Sequence, residues 1–372
     1  MRNSLAVLSI ILLAACNSSS NEHQNTEDTA DSVVTLSKPD LADSTEPHLA
    51  NLHQLTYGGN NAEAYFSFNN RNVVFQSDYE KWGVKCDQIF MMDLESAERD
   101  TINNPKMLST GFGRTTCSYF MPDGGHILYG STHLADSACP PVPEYKPGSP
   151  YLWPIYEGYD IFVADLEGNI TQQLTDEPGY DAEATVSPKG NKIVFTSTRS
   201  GDLELYTMNI DGSDVKQITN ELGYDGGAFF SPDGTKLVFR SSRPKTDEEV
   251  KKYKDYLAKG LVAPTNMEIY TCNVDGSDLK QITHLGKANW APYYHPSGKK
   301  IIFSSNHFSE RGYEFNLFMI NEDGTGLEQI TTQSNFNAFP MFSYDGKKLI
   351  FSSNRNNGGT RETNMFIADW VD

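Results

Sequence analysis

The chain has 372 residues, with 49 acids against 30 bases and a formal net charge of −19. That balance argues against nucleic acid and against electrostatic docking on anionic lipid, since both need a basic face. No apolar run after Leu13 is long enough to cross a bilayer as a helix.

The first residues read as an address. Arg2, an apolar run from Leu5 to Leu13, and the small residues of Leu13-Ala14-Ala15-Cys16 make a secretory signal over 1–15. The last four resemble the lipobox of bacterial lipoproteins, which implies cleavage before Cys16 and acylation of that cysteine. Asn17 stands where an inner-membrane retention signal would place Asp, so an outer-membrane anchor is expected, facing the periplasm rather than the outside. Residues 16–48 then read as a disordered acidic tether. From position 17 they carry seven acids, one Lys and few large apolar groups to offset the entropy of ordering.

From residue 49 onward one pattern recurs six times: a short strand, a tight turn, and a hydrophobic strand. The turns are Phe68-Asn69-Asn70, Pro122-Asp123-Gly124, Pro188-Lys189-Gly190, Pro232-Asp233-Gly234, Pro296-Ser297-Gly298 and Tyr344-Asp345-Gly346. Proline presets the second turn position and glycine takes the left-handed one, so each copy predicts a hairpin. Measured at Ser67, Met121, Ser187, Ser231, His295 and Ser343, the copies recur at propeller-blade spacing with loops of variable length. A third strand follows in each, Leu205-Tyr206-Thr207-Met208-Asn209 being one. A fourth closes on Gln-apolar-Thr, as in Gln173-Leu174-Thr175, Gln217-Ile218-Thr219, Gln281-Ile282-Thr283 and Gln329-Ile330-Thr331. The sixth copy ends after its third strand, while Gln54-Leu55-Thr56 carries the missing signature before the first copy begins. The expected fold is therefore an all-β, six-bladed β-propeller over 49–372, its last blade closed by the N-terminal strand.

Two insertions separate second from third strands. Leu134 to Tyr159 holds six prolines together with Tyr145, Tyr151, Trp153, Tyr156 and Tyr159. Lys245 to Asn266 predicts a short helix, with Thr246 as N-cap and Glu249 completing the capping box. Cys272 lies inside a third strand, as a core thiol would. Cys86, Cys117 and Cys139 fall near loops at one end of the ring, where one disulfide is expected and Cys117–Cys139 is the pairing preferred.

Pro232-Asp233-Gly234-Thr235-Lys236-Leu237-Val238-Phe239, the stretch Asn273 to Asp278 and the recurring Gln-Ile-Thr resemble the TolB-type propeller repeat over about residues 50–372. The resemblance implies the fold and says little of function, since such propellers serve as binding platforms, as partners of enzymes and occasionally as enzymes. The lipobox departs from TolB itself.

Superposing the copies exposes two polar columns. Asn61, Thr115, Asp181, Asp225, Asn289 and Asn337 begin the innermost strands, and two residues later come Glu63, Cys117, Glu183, Gly227, Ala291 and Phe339. The second strands end on Tyr79, His133, Arg199, Arg243, His307 and Arg355. Antiparallel pairing brings these ends beside the first column. Two explanations stand: the cations clasp acids such as Asp181, Glu183 and Asp225 as blade fasteners, or they form, with Asn289 and Asn337, a funnel for an anionic or polar ligand. No nucleophile elbow or His-Glu-x-x-His motif is present, so no catalytic residue, metal site or cofactor is assigned. His133, His284, His295 and His307 are the histidines from which a metal-dependent lyase for acidic oligosaccharides would have to be built. The expected role is a lipid-anchored, monomeric platform for an envelope protein, peptide or polymer, with that lyase or a purely structural envelope subunit as alternatives.

Overall fold

The computed structural model describes residues 38–100, 104–143 and 148–372. The leader, the lipidation site at Cys16 and the tether up to residue 37 lie outside the described residues. Six four-stranded antiparallel sheets follow in chain order. Blade one runs Asn61–Phe66, Asn72–Ser77, Gln88–Asp93 and Lys106–Met107, and blades two to five repeat that order. In blade six the outer strand is Leu49–Gln54, paired antiparallel with Asn364–Trp370 so that Gln54 faces Phe366. The ring closes as the displaced Gln54-Leu55-Thr56 signature requires.

The repeated motifs have identifiable work. Each turn donates from its fourth backbone N–H to the carbonyl of its first residue, Gly190 N to Ser187 O at 2.7 Å for example, with Gly190 at φ +70°. In blade one Asn70 supplies the left-handed residue at φ +59°. The Gln side chain of each Gln-apolar-Thr donates to the carbonyl of its own Thr at 2.8 Å in five blades. The Thr hydroxyl in turn accepts the backbone N–H of the third strand's second residue, as Leu205 N to Thr219 Oγ1 at 2.9 Å. Outer strands only two to six residues long are thus tied down by side chains where ladder bonds are few.

The core lies between the sheets. The aromatic residue in the middle of every second strand packs on one from the third, from Phe75 on Phe90 at 5.9 Å to Tyr129 on Phe162 at 6.4 Å. All six second-strand rings are fully buried. The boundary drawn at residue 48 moves toward the N-terminus. Lys38 donates to Gln54 O at 2.9 Å, Leu41 N bonds Leu52 O at 2.7 Å, and Glu46 is wholly buried. Residues 38–48 are therefore folded onto blade six, held by a buried charge that composition alone does not show. Among the described residues no helix is long and apolar enough to cross a membrane.

Candidate functional site

All six innermost strands share a bulge. Register breaks after the second residue of each, and the residue in the break has positive φ: Glu63 +55°, Cys117 +45°, Glu183 +57°, Gly227 +59°, Ala291 +46° and Phe339 +55°. Five of the six are not glycine, an uncommon conformation repeated around the ring. The bulges bring these residues to the axis, where they line the channel.

Above them opens a cavity of about 790 Å³. Its wall comes from the first insertion, which the second braces from behind. Trp153–Pro154 pairs with Leu261–Val262 across blade three, and Ile155 N donates to Gly260 O at 2.7 Å. The helix within the second insertion, Asp247–Leu257, has the expected cap, with Thr246 and Glu249 in a reciprocal capping box. Ile155, Tyr159, Tyr180, Tyr224, Val262 and Trp290 belong to a cluster separate from the blade cores. Trp153 meets Trp290 at 5.0 Å, and Trp290 Nε1 donates to Pro264 O at 2.9 Å. The wall is a built structure rather than loose loop.

Three carboxylates and two guanidiniums reach this cavity among the described residues. Glu183 is bound by Arg240, by the Tyr224 hydroxyl at 2.9 Å, by the Thr196 hydroxyl at 2.7 Å and by the Gly227 backbone N–H at 2.9 Å. Burial works to raise its carboxyl, but Arg240 and these donors outweigh it and hold it below the ordinary value. A Cβ on Gly227 would come within 1.9 Å of Arg240 Nη1, so a side chain there would push the guanidinium out of its present place. Asp87 pairs with Arg114 through two bonds of 2.8 and 2.5 Å. Glu63 has no such partner: its Oε2 is buried without a hydrogen bond, and burial, with Glu183 and Asp87 adding repulsion, lifts its carboxyl to about 7. Cys117 lies beside it, its thiol raised by the same burial and by the Glu63 and Glu183 charges.

The five cations expected to form a funnel do not line the cavity. In five of the six blades the second strand ends in a Ser whose hydroxyl accepts the N–H two residues on, as Arg199 N to Ser197 at 3.2 Å and Arg355 N to Ser353 at 3.1 Å, which folds the residue back over its own blade; in blade four the Ser241 hydroxyl makes no such bond. Arg199 lies 5.2 Å above the Phe195 ring and bonds Asp181 at 2.6 Å. Arg243 lies over Tyr270 and forks onto Asp225 at 2.5 and 2.8 Å. Arg355 bonds Glu46 at 2.8 Å and Asn337 at 2.9 Å. His133 bonds Ser131, and His307 donates to Leu285 O. Asn289 bridges Ser305 Oγ and Met267 O. The clasp is the arrangement present, and only Glu183 of the expected set reaches the cavity. The Cys117–Cys139 pairing is also corrected: the disulfide is Cys86–Cys139, because Cys117 points into the channel from its bulge. Among the described residues no group of three or more His, Cys, Asp or Glu side chains could hold a metal ion, and the four histidines stay in separate places.

Sequence reasoning missed Arg114, Asp87 and Arg240. Arg240 had a signal: its siblings at the same second-strand position are Gln76, Gly130, Thr196, Ser304 and Ser352, so it is the outlier of its column.

A family model described as the TolB β-propeller domain matches residues 155–252. The structure of a putative TolB from Agrobacterium tumefaciens superposes with a TM-score of 0.54 at 18% identity, covering 84% of this chain and 91% of that one. The fold is a TolB-like six-bladed propeller. TolB from Acinetobacter baumannii gives a TM-score of 0.52, also at 18% identity, over 84% of this chain and 64% of its own. An oligogalacturonate lyase in complex with manganese superposes at 0.47 and 13% identity, over 86% and 93% of the two chains. At these identities the TolB-like likeness is one of fold, and the chain is not TolB itself.

Proposed function

We propose that this chain is an envelope binding platform, lipid-anchored through Cys16, that receives a segment of a protein, peptide or envelope polymer in its channel mouth. The observation that carries this is the cavity of about 790 Å³ with aromatic walls braced by the pairing of Trp153–Pro154 with Leu261–Val262 and two internally neutralised ion pairs in its lining. Aromatic faces supply contact area, and paired charges supply orientation without the desolvation cost of naked ones. Asp87 with Arg114 and Glu183 with Arg240 are engaged with one another, which suits recognition, and Glu63 alone is left outside these pairs. The anchor rests on Leu13-Ala14-Ala15-Cys16, whose position after a short apolar run suits acylation.

Val142 and Tyr151 line the cavity yet are 63% and 54% exposed, so altering them spares the fold. Affinity capture from solubilised envelopes, compared between the wild type and Val142→Ser with Tyr151→Ala, is expected to lose the discrete captured component at an unchanged melting temperature. An identical captured set would sink the proposal that the mouth is the binding surface.

A further inference from the structure

Charge in the cavity does not balance. Among the described residues three acids and two guanidiniums line it, and Asp87 and Glu183 each take one guanidinium at hydrogen-bond range. Glu63 is left over. The residue is partly buried and its carboxyl has the Cys117 thiol as a hydrogen-bond neighbour, but its Oε2 is excluded from solvent and meets no donor, which a carboxylate oxygen tolerates only at a penalty.

The space beside it is small and selective. Adjoining the main cavity lies a volume of about 30 Å³ bordered by Glu63, Tyr65, Cys117, Glu183 and Phe229 and by Arg240, whose charge Glu183 neutralises. A water-sized group needs roughly 10–15 Å³ measured this way, so an ammonium fits and a planar guanidinium does not. The Tyr65 and Phe229 rings, their centroids 5.5 Å apart, border this volume, and aromatic neighbours favour a cation over a neutral group of the same size. Burial holds the Glu63 carboxyl near neutrality, and a nearby positive charge would return it to the ionised form.

Resting on the platform function above, we propose that Glu63 anchors a primary ammonium group of the bound segment, so that the ligand is a chain presenting an amino terminus or a lysine side chain into the channel. The incoming cation completes the third ion pair of the cavity, with the aromatic wall covering the rest of the segment.

The probes are tetra-alanine amide with a free amino terminus, the same peptide N-acetylated, and Nα-acetyl-lysine amide, titrated into the whole chain. Trp153 and Trp290 border the cavity, so their fluorescence reports occupancy. Saturable binding of one or both amine probes is expected, and the stronger of the two tells terminus from side chain. N-acetylation of tetra-alanine amide and Glu63→Gln should each weaken amine binding roughly tenfold or more, the range of one charge-assisted hydrogen bond. The comparison of free with acetylated peptide uses the unaltered chain and stands whatever the variant does to folding. Equal binding of all three probes, unaffected by Glu63→Gln, overturns the ammonium anchor and leaves the mouth as a binding surface. Absence of binding by any probe also overturns the anchor. If the Val142 and Tyr151 variant then captures envelope material as the wild type does, the platform function falls with it.

Discussion

Arg243→Ala separates a clasp from a free ligand group by magnitude. Asp225 is fully buried and Arg243 has only 13% of its side chain exposed, with two bonds between them of 2.5 and 2.8 Å. Truncating the arginine leaves a carboxylate in a place that water does not reach, and breaking a buried pair in this way costs about 3–5 kcal/mol. Burial already pushes the Asp225 carboxyl above its ordinary value even with Arg243 pulling it back. Without that cation the folded-state value rises further above the unfolded one. The sign follows: the loss is greatest at high pH and shrinks as pH falls and Asp225 takes up a proton in the folded state. Equilibrium guanidinium unfolding at several pH values measures this, and Arg243→Ala with Asp225→Asn should recover part of the loss by removing the orphan charge. A loss under about 1 kcal/mol, typical of an exposed pair, and without pH dependence would refute the buried-clasp account.

Glu63→Gln should stabilise the chain at pH 8 by up to about 3 kcal/mol and have little effect below pH 4.5. The carboxyl is raised from 4.5 to about 7, so the wild-type fold loses stability as pH rises through that window. Equal stability of variant and wild type at pH 8 would contradict the unpaired state of Glu63. Thermal melts of truncations should fall in steps. Removing residues 1–37 leaves the melting temperature unchanged, and removing 1–47 lowers it by loss of Glu46 from Arg355. Removing 1–56 lowers it most, because the strand Leu49–Gln54 is gone and the Asn364–Trp370 edge is bare. Cys16→Ser should move the protein from the membrane to the soluble fraction or leave it unprocessed. Full processing with intact membrane association would exclude acylation as the anchor.

The blades were legible because their signals are local. A Pro-x-Gly turn, an alternating strand and a Gln-x-Thr closure each lie within a few residues, and six repeats make the register plain. The closing strand was legible for the same reason, since Gln54-Leu55-Thr56 belongs to a set with a missing member. What was not legible depends on contacts between distant segments. The two-residue pairing of Trp153–Pro154 with Leu261–Val262 has no local pattern, and the Cys86–Cys139 bridge depends on where the long insertion returns. Cys117 was misjudged although its column placed it beside Glu63 and Glu183 at the axis, which is evidence for a channel thiol rather than a loop thiol. The cations were legible as a column, but their direction was not, because the Ser-linked turn that folds them back is set by backbone conformation.

The clasps follow a charge rule that tells them apart from the ligand site. Where the second strand ends on Arg in blades three and four, the inner strand begins with Asp; where it ends on His or Tyr in blades one, two and five, the inner residue is a neutral Asn or Thr. Blade six breaks the rule, with Arg355 facing the neutral Asn337, and there the chain brings in Glu46 from before the closing strand. A cation matched blade by blade, even at the cost of ordering an extra segment, is a cation whose charge the fold needs. Position by position, then, the repeated columns at the strand ends account for the stability of the ring. The bulge column does not obey any such rule: Glu63, Cys117, Glu183, Gly227, Ala291 and Phe339 differ in charge, size and polarity while sharing one strained backbone state. Keeping the strain while varying the side chain is what a site on a symmetric scaffold requires, since the backbone sets where the group points and the residue sets what it recognises. In that column Glu183 is consumed by Arg240, which leaves Glu63 as the position where a ligand's charge has the most to add.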